Sequence, residues 1–216
     1  MHHHFDLLGR IFLCLLLSLG MLATALEAQT VNTYYVTKTG SNSNSCSDAQ
    51  SIALAKLTIA AALGCESAGD IVYVGDGTYA ESTIGSLMVN GTSDSIRTTL
   101  RAINRRQVII KHTGFYALHL SSKSYLGFYG IVFDADTSDS NAIKHESTSH
   151  HILLDDVELK NSVSPGLMSH GPNGILRNSY IHHNGDSDQD HGIYMNTGSD
   201  NWLIEGNEFA FNSQFG

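Results

Sequence analysis

The sequence predicts a parallel β-solenoid, and three observations carry that expectation. From about residue 108 onward a small residue followed by an aliphatic one recurs at Ala117-Leu118, Ala142-Ile143, Gly166-Leu167 and Gly192-Ile193, with steps of 25, 24 and 26 residues between the aliphatics. Each is followed by a short polar turn (Ser121-Ser122, Glu146-Ser147, His170-Gly171, Thr197-Gly198) and then by a second apolar stretch (Tyr125 to Phe128, Ile152 to Leu154, Gly174 to Leu176, Trp202 to Ile204). None of these units carries a helical signal. A unit of this length cannot bury its own apolar row, but stacked units form parallel sheets with a step of ~4.8 Å and turn the repeated aliphatics into interior ladders. A β-sandwich also has many short strands, but it does not repeat the same residue classes at this spacing.

The elements follow in chain order. Ile11 to Leu26 is almost purely apolar and preceded by Arg10, a run of about 16 residues against the ~20 that a membrane-spanning helix needs. Ala23-Thr24-Ala25 fits the small-x-small cleavage pattern, with Ala28 as a second possible end, so residues 1–28 are read as a secretory signal peptide without stable membrane insertion. Residues 29–107 form the N-terminal cap and first rungs. Thr33 to Val36 has strand composition, Thr39 to Gln50 is a Gly/Ser/Asn-rich loop, and Ile52 to Leu63 carries alanines and leucines at helical spacing, ended by Gly64. Ile71 to Val74 is a short buried-type strand, and Asp76-Gly77 turns the chain before Thr78-Tyr79. Residues 108–216 are the rungs proper, with Val108 to Lys111 in an early one. Three units continue into segments that end in asparagine (Asp155 to Asn161, Asn178 to Asn184, Asn207 to Asn212), where asparagine tolerates the left-handed backbone of tight corners. Gly216 falls 24 residues after Gly192, where a fresh rung would open, so an incomplete C-terminal end is expected.

Removing residues 1–28 takes away Arg10, Asp6 and Glu27, which moves the formal charge from −9 to −8. An acidic chain lacks the basic face that nucleic-acid phosphates need, which argues against a nucleic-acid partner. It also repels an acidic polysaccharide unless a cation or a local basic patch intervenes. Of the three cysteines, Cys46 and Cys65 remain after processing, and in an oxidising compartment the pair is expected to form a disulfide.

The stretch "YYVTKTGSNSNSCSDAQS…KLTIAAALGCESAGDIVYVGDGTYAES", residues 34 to 82, together with coils such as "HGIYMNTGSDNWLIEGNEFAFN", resembles secreted right-handed parallel β-helix proteins of the pectate-lyase-like superfamily. The resemblance implies an extracellular, periplasmic or cell-surface location and a polysaccharide partner bound along an exposed parallel sheet. The implied activity is that of a polysaccharide lyase or glycoside hydrolase on an acidic, uronate-containing glycan. The alternative is a non-catalytic carbohydrate-binding or cell-surface module that uses stacked rungs as a rigid rod.

Period-2 alternation around Ile193 points Asp190, Gly192, Tyr194 and Asn196 outward, and His191 and Met195 inward. Extended to the other rungs, it gives one outward column of His119, Lys144, Met168 and Tyr194, and a second of Ser121, Glu146, His170 and Asn196. Lys144, Tyr194 and His170 are the candidate catalytic residues, and His119, Glu146 and Asn196 the candidate substrate-binding ones. Eliminative cleavage of a uronate needs a base for the proton alpha to the carboxylate, a role lysine or arginine fills in the lyases this chain resembles. The plain alternative for Lys144 is a solvated lysine. Asp186, Asp188 and Asp190 place three carboxylates at alternate positions, a candidate calcium site, since calcium bridges acidic sugars to acidic protein in pectate lyases. They do not form a helix-loop-helix calcium motif, because His191 and Thr197 stand where glycine and glutamate are required. His191 is read as a buried corner histidine. His150-His151 and His182-His183 are read as strand neighbours on opposite faces, and so not as metal sites.

Overall fold

In a computed structural model of the chain, the described residues are 30–81, 83–111, 114–136, 140–188 and 190–213. Residues 1–28, expected to be a signal peptide, and Gly216, where a fresh rung was expected, lie outside them. The strands run in chain order as β1 (Thr33–Val36), β2 (Ile71–Val74) with β3 (Gly77–Ala80), and β4 (Thr98–Ala102) with β5 (Val108–Lys111). From there each rung contributes three: β6 (Leu118–Leu120), β7 (Leu126–Tyr129) and β8 (Ile131–Asp134), then β9 (Ile143–His145), β10 (Leu153–Asp155) and β11 (Glu158–Lys160). The next rungs are β12 (Leu167–Ser169), β13 (Ile175–Arg177) and β14 (Tyr180–His182), and β15 (Ile193–Met195), β16 (Leu203–Glu205) and β17 (Glu208–Ala210). All the strand pairings are parallel, and they assemble three sheets that run along the solenoid axis. The first is β1-β2-β4-β7-β10-β13-β16, the second β3-β5-β8-β11-β14-β17, and the third β6-β9-β12-β15.

Register turns the repeat into ladders. On the first sheet Tyr34, Val72, Leu100, Phe128, Leu154, Leu176 and Ile204 stack inward. On the second Tyr79, Ile110, Phe133, Leu159, Ile181 and Phe209 do the same. On the third the ladder is Leu118, Ile143, Leu167 and Ile193. Apart from Ile204, which is 39% exposed on the last described rung, these side chains form one continuous core, so apolar burial along the axis is the main stabilising term.

The corners between first and second sheets hold Arg106, Gly130, Asp156, Asn178 and Gly206, all at positive φ between 54° and 68°. Asparagine is thus one of several residues that serve there. The expected corner role of asparagine is therefore half right. Asn161 and Asn178 adopt the left-handed backbone, whereas Asn184, Asn207 and Asn212 act through their side chains. Register also places Asn161 opposite His183, one position out of step with Asn184 and Asn212.

The helix expected over Ile52 to Leu63 is broken. A 3-10 turn covers Ile52–Leu54, and α1 spans only Ile59–Leu63 before ending at Gly64. Between them, the Lys56 N–H donates to Tyr35 C=O at 2.9 Å and Lys56 C=O accepts from Thr37 N–H at 3.0 Å. Pairing with β1 takes the backbone groups that a continuous helix would use. Ile52 accordingly stays 53% exposed. Thr58 caps α1, and the Glu81 carboxylate accepts from the N–H groups of Ile59 and Ala60. The second short helix, α2 (Ile84–Leu87), packs against β6, the first strand of the third sheet. Cys46 and Cys65 form the expected disulfide, with Cα atoms 5.4 Å apart, and tie the serine-rich loop to the end of α1. Among the described residues no helix is long and apolar enough to cross a membrane.

Candidate functional site

The candidate groove lies on the third sheet. In β6, β9 and β12 the outer residues of each three-residue strand are buried and the central one is partly exposed. Register aligns those central residues, His119, Lys144, Met168 and Tyr194, in one column. The residues just past each strand form the second column. Glu146, His170 and Asn196 donate their N–H groups to the carbonyls of Leu120, His145 and Ser169 in the preceding rung. The two columns cross-link. His119 Nε2 lies 3.1 Å from Glu146 Oε1, and Lys144 Nζ lies 2.9 Å from His170 Nε2 and 3.2 Å from Met168 Sδ. An ammonium has no acceptor, so Lys144 Nζ is the donor to His170 Nε2. No described carboxylate forms an ion pair with Lys144.

Directly beneath these residues the inward positions are Leu120, His145, Ser169 and Met195. His145 is 1% exposed, and burial pushes its imidazole down to about 4, so it stays neutral near pH 7. Its Nδ1 meets Ser169 Oγ at 2.9 Å, and Trp202 packs edge-on at 5.6 Å. This polar pair was not among the sequence-derived candidates. Its signal was available, since histidine and serine interrupt an otherwise apolar inward column.

Next to the sheet lies an open cleft of about 580 Å³, lined by Met168, Tyr194 and Asn196 of the sheet, Asp188, Asp190 and His191 of the loop before β15, and Asn141, Ser164 and Pro165 from neighbouring loops. The last three were not anticipated, because their approach depends on loop stacking between rungs, as when the Asn141 side chain donates to Pro165 C=O at 2.8 Å. Tyr194 is 38% exposed and lies parallel to His191, with ring centroids 5.8 Å apart.

His191 therefore lines the cleft instead of facing the core. Gly192 takes the inward direction: a Cβ there would meet Asn212 Nδ2 at 2.8 Å and Phe209 Cδ1 at 3.0 Å. Strand alternation begins only at Ile193, and extending it upstream reversed these two positions. The same close approach explains the glycine one rung earlier, since a Cβ on Gly166 would meet Asn184 Nδ2 at 2.8 Å.

Asp186, Asp188 and Asp190 share the loop before β15. The Asp190 carboxylate accepts from Ser187 N–H at 3.2 Å and Ser187 Oγ–H at 2.6 Å. Among the described residues no three or more His, Cys, Asp or Glu side chains converge as a metal cage. The adjacent histidines do not diverge as strand geometry implied. The Nδ1 atoms of His150 and His151 lie 2.7 Å apart and those of His182 and His183 2.6 Å apart, because His151 and His183 sit at left-handed corners with φ of 55° and 52°.

No family model and no curated protein matches the chain. Several solved structures do. An alginate lyase from Paenibacillus sp. str. FPU-7 is 20% identical with a TM-score of 0.59, over 70% of this chain and 54% of that one. A rhamnogalacturonan lyase is 16% identical with a TM-score of 0.63, over 85% and 53% of the two chains. The pectate lyase Pel9A is 15% identical with a TM-score of 0.63, over 86% and 51%. The chain spans about half the length of these structures. What the likeness shows is the fold, a parallel β-helix.

Proposed function

We propose that this is a secreted carbohydrate-active β-helix protein that cleaves a uronate-containing polysaccharide at the third sheet. The observation that carries the reading is Lys144. It is the one cation of the outward columns without a described carboxylate partner, it is held by His170 at 2.9 Å, and it stands in a column that ends at the cleft. A cation so placed attracts a uronate carboxylate and lies near the proton alpha to it. After passing a proton to His170, Lys144 as the amine takes the alpha proton, the electron pair forms the new double bond, the glycosidic C–O bond at the adjacent carbon breaks, and the leaving oxygen takes a proton from water. His170 shuttles the proton between Lys144 and solvent. Tyr194 lies two strand steps from Lys144, roughly 10 Å, and holds sugar in the cleft without moving a proton. His119, Glu146 and Asn196 supply hydrogen bonds along the same columns. The disulfide and the apolar N-terminal segment support export to an oxidising compartment.

The test is incubation of the full-length protein with pectate, alginate and neutral glycans, with and without calcium. Ultraviolet-absorbing unsaturated products establish the lyase. New reducing ends without that absorbance mean hydrolysis, and binding without turnover means a carbohydrate-binding module. Either of the last two outcomes removes the eliminative chemistry assigned to Lys144.

A further inference from the structure

We infer that His182 and His183, at the end of β14 on the second sheet, form a two-nitrogen binding site for copper(II). The site lies on a different sheet from the groove, and the inference stands whether or not the glycan reading holds. In an extended strand, neighbouring side chains leave on opposite faces and cannot share an ion. Here the chain turns a left-handed corner at His183, with φ of 52°, and the two Nδ1 atoms come within 2.6 Å.

Hydrogen bonding decides which nitrogens are available. A carboxylate only accepts, so His182 Nε2, 3.1 Å from Glu158 Oε1, carries the proton of that ring. His182 Nδ1 then keeps a lone pair, and the contact between the two Nδ1 atoms takes its proton from His183. An ion bound to both Nδ1 atoms replaces that proton, which moves through solvent to Nε2 of His183. Both rings stay neutral, and no proton is released overall. A carboxylate behind the far nitrogen also orients a histidine ligand and raises its basicity. The Glu158 oxygen is shared with Lys160 at 3.0 Å, and Tyr180 stacks on His182 with ring centroids 4.0 Å apart. The buried His182 is therefore held in place, while His183 is exposed to an incoming ion.

The spacing selects the ion. Neighbouring nitrogens on a square-planar ion stand roughly 2.8 Å apart, whereas tetrahedral zinc separates them by roughly 3.3 Å. The 2.6 Å between the Nδ1 atoms is closer to the first. Imidazole suits copper(II), which also heads the affinity order of the first-row divalent ions. The remaining positions fall to water or to donors of a bound ligand. His150 and His151, with Nδ1 atoms 2.7 Å apart, have a similar spacing but different surroundings. Among the described residues no carboxylate hydrogen-bonds either ring, and the Arg97 guanidinium donates to His151 C=O, which sets a fixed cation beside that pair. The carboxylate-backed pair is therefore the copper site.

Titration of the full chain with Cu²⁺, and separately with Zn²⁺, by calorimetry and electron paramagnetic resonance tests this. His2→Ala, His3→Ala and His4→Ala are made throughout so that the N-terminal histidines do not compete. The tightest copper equivalent is expected to show two imidazole nitrogens and to bind about tenfold or more tighter than zinc. Glu158→Gln should weaken copper about tenfold, and His183→Asn, which keeps the left-handed corner, by more than that. His151→Asn should keep the native copper affinity, with circular dichroism confirming the fold of each variant. Native affinity in His183→Asn overturns the inference, as do zinc binding as tight as copper and loss of the site in His151→Asn. If a variant does not fold, the parent chain decides: one imidazole on its tightest copper, in place of two, overturns the inference.

Discussion

Glu66 is 8% exposed, and burial pushes its carboxyl up to about 8, even though the Val89 N–H donates to Oε1 at 2.6 Å. The folded chain holds this proton more tightly than the unfolded one, whose value is near 4.5. Between those values stability falls as pH rises, by roughly 1.4 kcal/mol for each pH unit. His145 works with the opposite sign. Its folded value near 4 lies below the ordinary 6.5, so stability falls as pH drops through that interval. The two slopes oppose one another between about pH 4.5 and 6.5, and above 6.5 only the Glu66 loss remains. Denaturant titrations of Glu66→Gln should show the decline between pH 6.5 and 8 abolished; a decline that persists contradicts the assignment. Neither residue was visible in the sequence as special. Glu66 follows a cysteine in a polar stretch, and its contact with the Val89 N–H, 23 residues further on, is set by the tertiary fold.

At the scale of elements, the asparagine side chains do much of the work of holding adjacent rungs in register. Asn184 is fully buried: its Oδ1 accepts from Ser162 N–H and Oγ–H, and its Nδ2 donates to Leu159 C=O and to Asn212 Oδ1. Asn184→Ala leaves several of these groups unpaired and is expected to cost about 3 kcal/mol, measured by chemical denaturation. Loss of the Cys46–Cys65 link should cost a similar amount, about 3 kcal/mol, by releasing a loop whose ends are 19 residues apart. Comparing the oxidised protein with a Cys46→Ser, Cys65→Ser double variant checks this. Strands with strict repeats were legible, because Leu118, Ile143, Leu167 and Ile193 recur at near-constant spacing. β4 was missed, since Thr98 to Ala102 lies before the repeat becomes regular. The long helix was overestimated because helical spacing in Ile52 to Leu63 says nothing about the edge of β1, which captures Lys56.

The whole molecule shows the same division. The solenoid was readable because each ladder is a sequence periodicity, and its outward columns followed from alternation within the strands. The cleft was only partly readable. Tyr194, Asn196, Asp188 and Asp190 were found, but Asn141, Ser164 and Pro165 reach it from loops of other rungs, and His191 turns toward it where strand alternation does not yet apply. The most direct measurement of the account is the rate of ultraviolet-absorbing product formation from uronate-containing glycans by the native protein, by Lys144→Ala, and by Lys111→Ala on the second sheet. Lys144→Ala is expected to lose about a hundredfold or more while Lys111→Ala keeps the native rate; full activity in Lys144→Ala would contradict the role given to Lys144.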